Sequence, residues 1–231
     1  MQTGNIKLNL RRDTLVDRIV NILEDRILTG KLLPGTKLSE VGVANQFEVS
    51  RAPAREALNR LEEMNLVRKT HLSREVTEFG LEEFREIYEL KNVVEAFGAM
   101  KGALNATDQD LNEIQSLVDK MKDCVNSKDF SDLRRFNVQF HDLLVYCSRN
   151  QKLIETYLSL AKQVRWAALS LTLPHRPERS TEEHLAIFGA FTQRDAGKVR
   201  TLMESHTNAS MERILSQLKS KEKKRTGENG L

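Results

Sequence analysis

Proline, glycine and cysteine are scarce in this chain of 231 residues, at four, eleven and two. No proline lies between Pro53 and Pro174, and within that stretch glycine stands only at 80, 98 and 102. Both residues punctuate turns, so their scarcity excludes a loop-rich segment and argues for long helices. Aromatic and β-branched runs are also few, with aromatics at 6%. No run of 18 apolar residues exists, so no segment reads as a membrane-spanning helix. Met1 to Arg12 lacks the apolar core of a signal peptide, so a cytoplasmic location is expected. Cys124 and Cys147 have no CxxC spacing and read as two reduced core thiols.

A decisive surplus of one charge sign is missing too. Thirty-six Lys and Arg face 33 Asp and Glu, a formal net charge of +3. Residues 1–78 hold 13 basic and 11 acidic side chains, residues 79–218 hold 18 and 20, and residues 219–231 hold 5 and 2. Much of the surplus is a C-terminal tail, and global charge alone does not assign nucleic-acid binding. With 30% charged and 39% hydrophobic residues the composition is that of an ordinary soluble domain with enough apolar side chain for a core.

What is present is helical periodicity. Leu111, Ile114, Leu117, Val118, Met121 and Val125 recur at helical intervals, as do Phe136, Phe140, Leu143, Leu144 and Cys147. Ile154, Tyr157, Leu158, Ala161, Val164 and Ala168 continue the pattern, followed by Ile187, Phe188 and Phe191 and then Val199, Leu202 and Met203. Thr107 before Asp108 and Asp110, and Thr181 before Glu182 and Glu183, read as helix caps followed by first-turn acids. Residues 173–177 read as a helix break, and 219–231 as a flexible basic tail.

Residues 13–78 read differently, after an N-terminal arm of residues 1–12. One amphipathic helix runs to Gly30, Pro34-Gly35 makes a turn, and two short helices follow near 39–46 and 51–64. Two strand candidates, 66–69 and 75–77, come next. Three helices and a hairpin are the order of a winged helix. The expected architecture is therefore mainly α: an N-terminal winged helix-turn-helix domain over 13–78 and a C-terminal all-α helical bundle over 79–218.

The informative run is Val43 to Leu58. Ala44 allows close helix approach, Phe47 and Val49 cover a small core, and Ser50 can cap the next helix, within whose first turn Pro53 is tolerated. Arg51 and Arg55 are four apart and share one face at the N-terminal end of that helix. A recognition helix contacts base edges from that end, and Arg binds guanine bidentately. Free N–H groups there also suit a phosphate.

Pro34-Gly35-Thr36-Lys37-Leu38, the element Ser50-Arg51-x-Pro53-x-Arg55-Glu56-Ala57-Leu58 and Leu61-Glu62-x-x-Asn65-Leu66-Val67 resemble the winged-helix signature of GntR-type bacterial transcription regulators. The resemblance implies that Ser50, Arg51 and Arg55 contact a double-stranded, near-palindromic DNA operator, and that Arg74 could reach the DNA backbone from the wing. Glu48 stands where the family often has Gly, Val41 where some members place an Arg, and Leu72-Ser73 where the wing tip usually has Arg-Gly.

In the helical half, His141, His184 and His206 lie in three different predicted helices beside apolar neighbours, which puts the imidazoles on or near inward faces. Asn137 lies one turn before His141. Two readings stand on the residues alone: three separate, hydrogen-bonded core histidines, or three imidazoles and one oxygen around a divalent metal with open positions.

Residues 80–215 resemble the FCD effector domain of the FadR subgroup. The runs that carry this are Tyr88-Glu89-Leu90-Lys91-x-x-x-Glu95, Asn137-x-x-Phe140-His141-x-x-Leu144, Ser148-x-Asn150, Glu183-His184-x-x-Ile187 and Asp195-Ala196 through to His206. The resemblance implies a divalent transition metal (Zn, Ni or Mn) held by Asn137, His141, His184 and His206, with Asn137 in place of the family's usual Asp and Lys91 in place of an Arg. A neutral amide leaves such a site one charge more positive, which favours an anionic ligand. Arg134, Arg135 and Arg165 are candidates to clamp a ligand carboxylate, Arg165 and Arg134 being carried forward.

The resulting expectation is a ligand-responsive, DNA-binding homodimer whose small organic-acid or sugar-acid effector shifts operator affinity. The rivals are a constitutive DNA-binding dimer with a purely structural helical domain, and a His-metal hydrolase. No H-E-x-x-H, nucleophile elbow or phosphate loop is present, so an enzyme is not expected.

Overall fold

The computed structural model describes residues 14–71, 73–169 and 177–227. The expected arm of residues 1–12 lies outside them, as does most of the expected break at 173–177. The chain divides into two compact units, residues 1–78 and residues 79–231.

The first unit is a winged helix. Helix α1 (Leu15–Leu28) opens with a capping box, in which the Thr14 hydroxyl accepts from Asp17 N–H and the Asp17 carboxylate accepts from the Thr14 backbone. It buries Ile19, Val20, Leu23 and Ile27. Strand β1 (Lys37–Leu38) leads into α2 (Glu40–Gln46) and α3 (Arg51–Glu63), and β2 (Val67–Lys69) and β3 (Arg74–Val76) form the hairpin. The sheet has three strands in the order β1-β3-β2, all antiparallel, with Lys37 opposite Glu75 and Val67 opposite Val76. β1 has no periodic signal in the sequence because two residues are too few to show alternation. Val43, Ala44, Ala54, Ala57, Leu58, Leu61 and Val76 close the core. Arg60 bridges α3 to α1 by donating to Asp17 Oδ1 at 2.6 Å.

The turn between α2 and α3 places Glu48 at φ +54°, in the left-handed region. A side chain there costs energy that glycine avoids, so this departure from the usual glycine is a site of backbone strain.

The second unit is all-helical among the described residues: α4 (Leu81–Asn105), α5 (Asp108–Ser127), α6 (Leu133–Tyr146), α7 (Gln151–Leu169), α8 (Pro177–Thr192) and α9 (Ala196–Gly227). Thr107 caps α5 in a second capping box with Asp110. Ile114, Val118, Met121, Phe140, Leu144, Ile187, Phe191 and Met203 form its main core. α4 runs against α6, α7 and α9. Its approach to α6 is close: a Cβ on Gly102 would stand 2.2 Å from the Leu144 carbonyl oxygen.

Two expectations on helix ends are corrected. Thr181 is not a cap: α8 already starts at Pro177, where a fixed φ suits the first helical position, and Thr181 is buried one turn further on. α9 runs on through residues 219–227 of the expected tail, whose lysines, glutamate and arginine are good helix formers, and residues 228–231 lie outside the described residues. No helix of the described residues is long and apolar enough to cross a membrane.

Candidate metal centre and nucleic-acid interface

α6, α8 and α9 each bring one imidazole to a common point. His184 Nε2 lies 3.2 Å from His141 Nε2 and 3.3 Å from His206 Nε2. Their ligand atoms all lie within 4.8 Å of one another, and all three residues are buried. Phe140 packs on the His184 ring with centroids 4.8 Å apart, which fixes the ring plane. His141 and His206 stack at 5.1 Å and 22°.

The other nitrogens explain why it is the Nε2 atoms that converge. His206 Nδ1 lies 2.7 Å from Glu183 Oε2, and Glu183 is itself held by Arg179. His141 Nδ1 stands 2.8 Å from Glu95 Oε1, an ion-pair distance with imperfect hydrogen-bond alignment. A carboxylate only accepts, so each favours a proton on Nδ1 and a bare lone pair on Nε2. His184 Nε2 can then donate to one of the two lone pairs and not to both. The leftover acceptor in a buried, donor-poor space fits a cation. The two separations from His184 fit too, since bonds of about 2.0–2.1 Å at the tetrahedral angle imply ligand–ligand edges of about 3.3 Å.

Glu95 is wholly buried. Burial pushes its carboxyl up, but Lys91 and His141 beside it outweigh that and hold it below the usual carboxylate range. Lys91 pairs with it directly. Burial lowers His206, against the opposing pull of Glu183, which favours the neutral imidazole a metal requires. Tyr157 lies 3.4 Å from Glu95 Oε1 but has one proton, which goes to Asp142 Oδ1 at 2.9 Å.

Asn137 sits half-buried one turn before His141 and makes no hydrogen bond among the described residues. Arg165 donates to Asp142 Oδ1 at 2.6 Å. Arg134 has no carboxylate partner among the described residues, and desolvation followed by the Arg165 charge lowers its pKa. Arg135 is instead paired with Asp132 on the surface.

Glu95 and Glu183 are the functional candidates that residue spacing misses. Glu183 is adjacent to His184 and faces away from it, as helix geometry requires. Its partner is the ring of His206, on the next helix. Both glutamates lie within motif runs of the FCD resemblance, the one sequence signal that marks them.

At the DNA-reading end, Arg51 and Arg55 are exposed at the start of α3, and neither pairs with a carboxylate among the described residues. Ser50 is the N-cap residue by backbone geometry, yet its hydroxyl makes no capping bond, so hydroxyl and helix N–H groups stay open. Arg74 is placed otherwise than expected. Its side chain is 15% exposed, and its guanidinium donates to Glu62, Glu40 and Asn59, at 3.1, 3.3 and 2.5 Å. It ties β3 to α2 and α3. Arg68 and Lys69 on β2 are exposed and without a partner among the described residues.

Comparison with known proteins agrees with this fold. Residues 15–73 match the gntR family of bacterial regulatory proteins, and residues 86–209 match the FCD domain. The chain is 26% identical over 201 residues to the HTH-type transcriptional repressor RspR of Escherichia coli K12, covering 85% of this chain and 87% of that one. It is 30% identical over 128 residues to the gluconate operon transcriptional repressor of Bacillus licheniformis, covering 55% and 53%. The solved structure of E. coli McbR/YncC superposes with a TM-score of 0.72 at 23% identity, over 88% of this chain and 98% of that one. These relatives are transcription regulators and not enzymes. The chain is a member of the GntR family of bacterial transcription regulators, with a winged helix-turn-helix reading unit followed by an FCD domain.

Proposed function

We propose that the protein is a metal-containing, effector-responsive regulator that reads a near-palindromic operator as a homodimer. The observation that carries the sensing half is the convergence of three buried Nε2 atoms at 3.2 and 3.3 Å. His141, His184 and His206 would hold a divalent transition metal, with the Asn137 amide oxygen as a further donor. The bound ion would supply a fixed positive charge with open positions for a small carboxylate or sugar acid. A relative named for a gluconate operon supports that ligand class. Arg134, beside Arg165 and without a carboxylate partner among the described residues, provides a guanidinium for the effector's anionic end.

Ser50, Arg51 and Arg55 are the DNA contacts of this reading, since all three are exposed at one helix end and none is committed to a side-chain partner among the described residues. Arg74 serves by bracing the wing, and Arg68 and Lys69 are suited to phosphates. The dimer is supported by α4. Leu90, Val93, Phe97 and Leu104 form an exposed apolar stripe along one face, with Val93 at 64% exposure. A two-fold axis near residue 95 would set Val93 opposite Phe97 and Glu89 opposite Lys101 of a second copy, which pairs unlike charges.

Titration calorimetry of small carboxylates and sugar acids against zinc-loaded protein, repeated after chelation and with Arg134→Ala, tests this reading. Binding that needs both the metal and Arg134, and that changes operator affinity, is expected. Effector binding indifferent to chelation would overturn the metal's role.

A further inference from the structure

We propose that Glu95 and Glu183 are positioning residues that fix the proton on Nδ1 of His141 and of His206, so that both Nε2 lone pairs are presented to one ion. The inference rests on the metal reading above for its purpose, but not for its geometry.

The two braces are built from different helices. Glu95 reaches His141 from α4, and Glu183 reaches His206 from α8. Each carboxylate is held from its far side by a cation, Lys91 on Glu95 and Arg179 on Glu183, both one helical turn away. A wholly buried carboxylate is expensive to keep without function or partners. Glu95 is kept with its charge matched by Lys91 and its oxygen turned to the imidazole. A neutral imidazole carries one proton, and a carboxylate facing one nitrogen places it there. Outer partners of this kind orient metal ligands and raise their basicity.

The position of the braces matters as much as their chemistry. Glu95 sits on the helix that also carries the exposed stripe, so His141 is steadied by an element other than its own. His184 lies between the two braced rings, with the Phe140 ring tilted against it.

The test uses the full chain with 15N-labelled histidine. Long-range 1H–15N correlation spectra of metal-free protein report the tautomer of each ring, and zinc competition against a chelator reports affinity. Wild type is expected to carry Nδ1–H on His141 and His206. Glu183→Leu should move only His206 toward Nε2–H, and the paired change Lys91→Met with Glu95→Leu should move only His141. That pair removes both buried charges together and so leaves none stranded. Each should weaken zinc about 10- to 100-fold. Glu183→Gln, which can still accept, should recover most of the affinity. Nε2–H on both rings in wild type, or unchanged tautomers and zinc affinity in the variants, would overturn the inference. Correct tautomers in a wild type that takes up no zinc, nickel or manganese would uphold the braces and overturn the metal reading instead.

Discussion

His184 Nε2 and His141 Nε2 lie 3.2 Å apart although 43 residues and an intervening helix separate them in the chain. With the Nδ1 protons proposed for His141 and His206, the three converging Nε2 atoms would offer two acceptors and one donor, so the arrangement would gain from an ion. Zinc at a hundred times its dissociation constant should stabilise the folded protein by about 2.7 kcal/mol, or about 5–10 °C in the melting of a unit this size. A thermal-shift assay with zinc, then with excess chelator, checks it. His184→Ala should abolish the zinc-dependent shift.

Arg51 and Arg55 project from the same end of α3, so their loss should be felt together. Alanine at either position is expected to cost about 1–3 kcal/mol of operator binding. Binding by the double variant should also depend less steeply on salt, because fewer counterions are released from phosphates. Fluorescence anisotropy on an operator selected in vitro, at several salt concentrations, measures both. Undiminished affinity in the double variant would remove α3 from the DNA interface.

The Asp17 carboxyl is held at about 2, below its ordinary 3.8, chiefly by accepting from the Thr14 hydroxyl and backbone, and then by Arg60. A depressed folded value means stability that is complete above the ordinary value and is lost as pH falls from 3.8 toward 2. Urea midpoints followed between pH 5 and pH 2 should show that loss in wild type and a shallower one in Asp17→Asn. Equal slopes would contradict it.

Gly102 has no room for a methyl group, because its Cβ would meet a backbone oxygen at 2.2 Å. Gly102→Ala must push α4 off α6 and should destabilise by at least about 2–3 kcal/mol. Thermal denaturation is the measurement. Gly189, where a Cβ meets nothing within 4 Å, is the matched control, and alanine there should be neutral or slightly stabilising.

How legible all this is from sequence differs by feature. Helices α1, α3, α5 and α6 announce themselves because their apolar residues recur at helical spacing and because Gly30, Ser50 and Thr107 mark their ends. α4 is harder, since apolar residues face both its packed side and its exposed stripe, and the periodic signal is blurred. The histidines can be placed on inward faces from local spacing alone, but their convergence depends on how three helices pack, which no local spacing encodes. Glu95 is obscure for the same reason: its partner His141 is 46 residues away on another helix. Arg74 reads as a free wing cation because Glu40, Glu62 and Asn59, its partners, belong to elements that only the fold assembles around it.

The chain leaves the reading unit at β3 and enters α4 at Leu81, with only four residues between Val76 and Leu81. α4 is then a rod of 25 residues, about 37 Å long, with no proline to bend it. Along that rod stand Glu95 against a metal-ligand candidate and, turned outward, Leu90, Val93 and Phe97. Rods do not absorb displacement; they relay it. Under the proposed sensing role, a sub-ångström adjustment at Glu95 would reappear as a shift of the outward stripe and of the chain segment at Leu81, and the same stiffness would make the response a single motion instead of several.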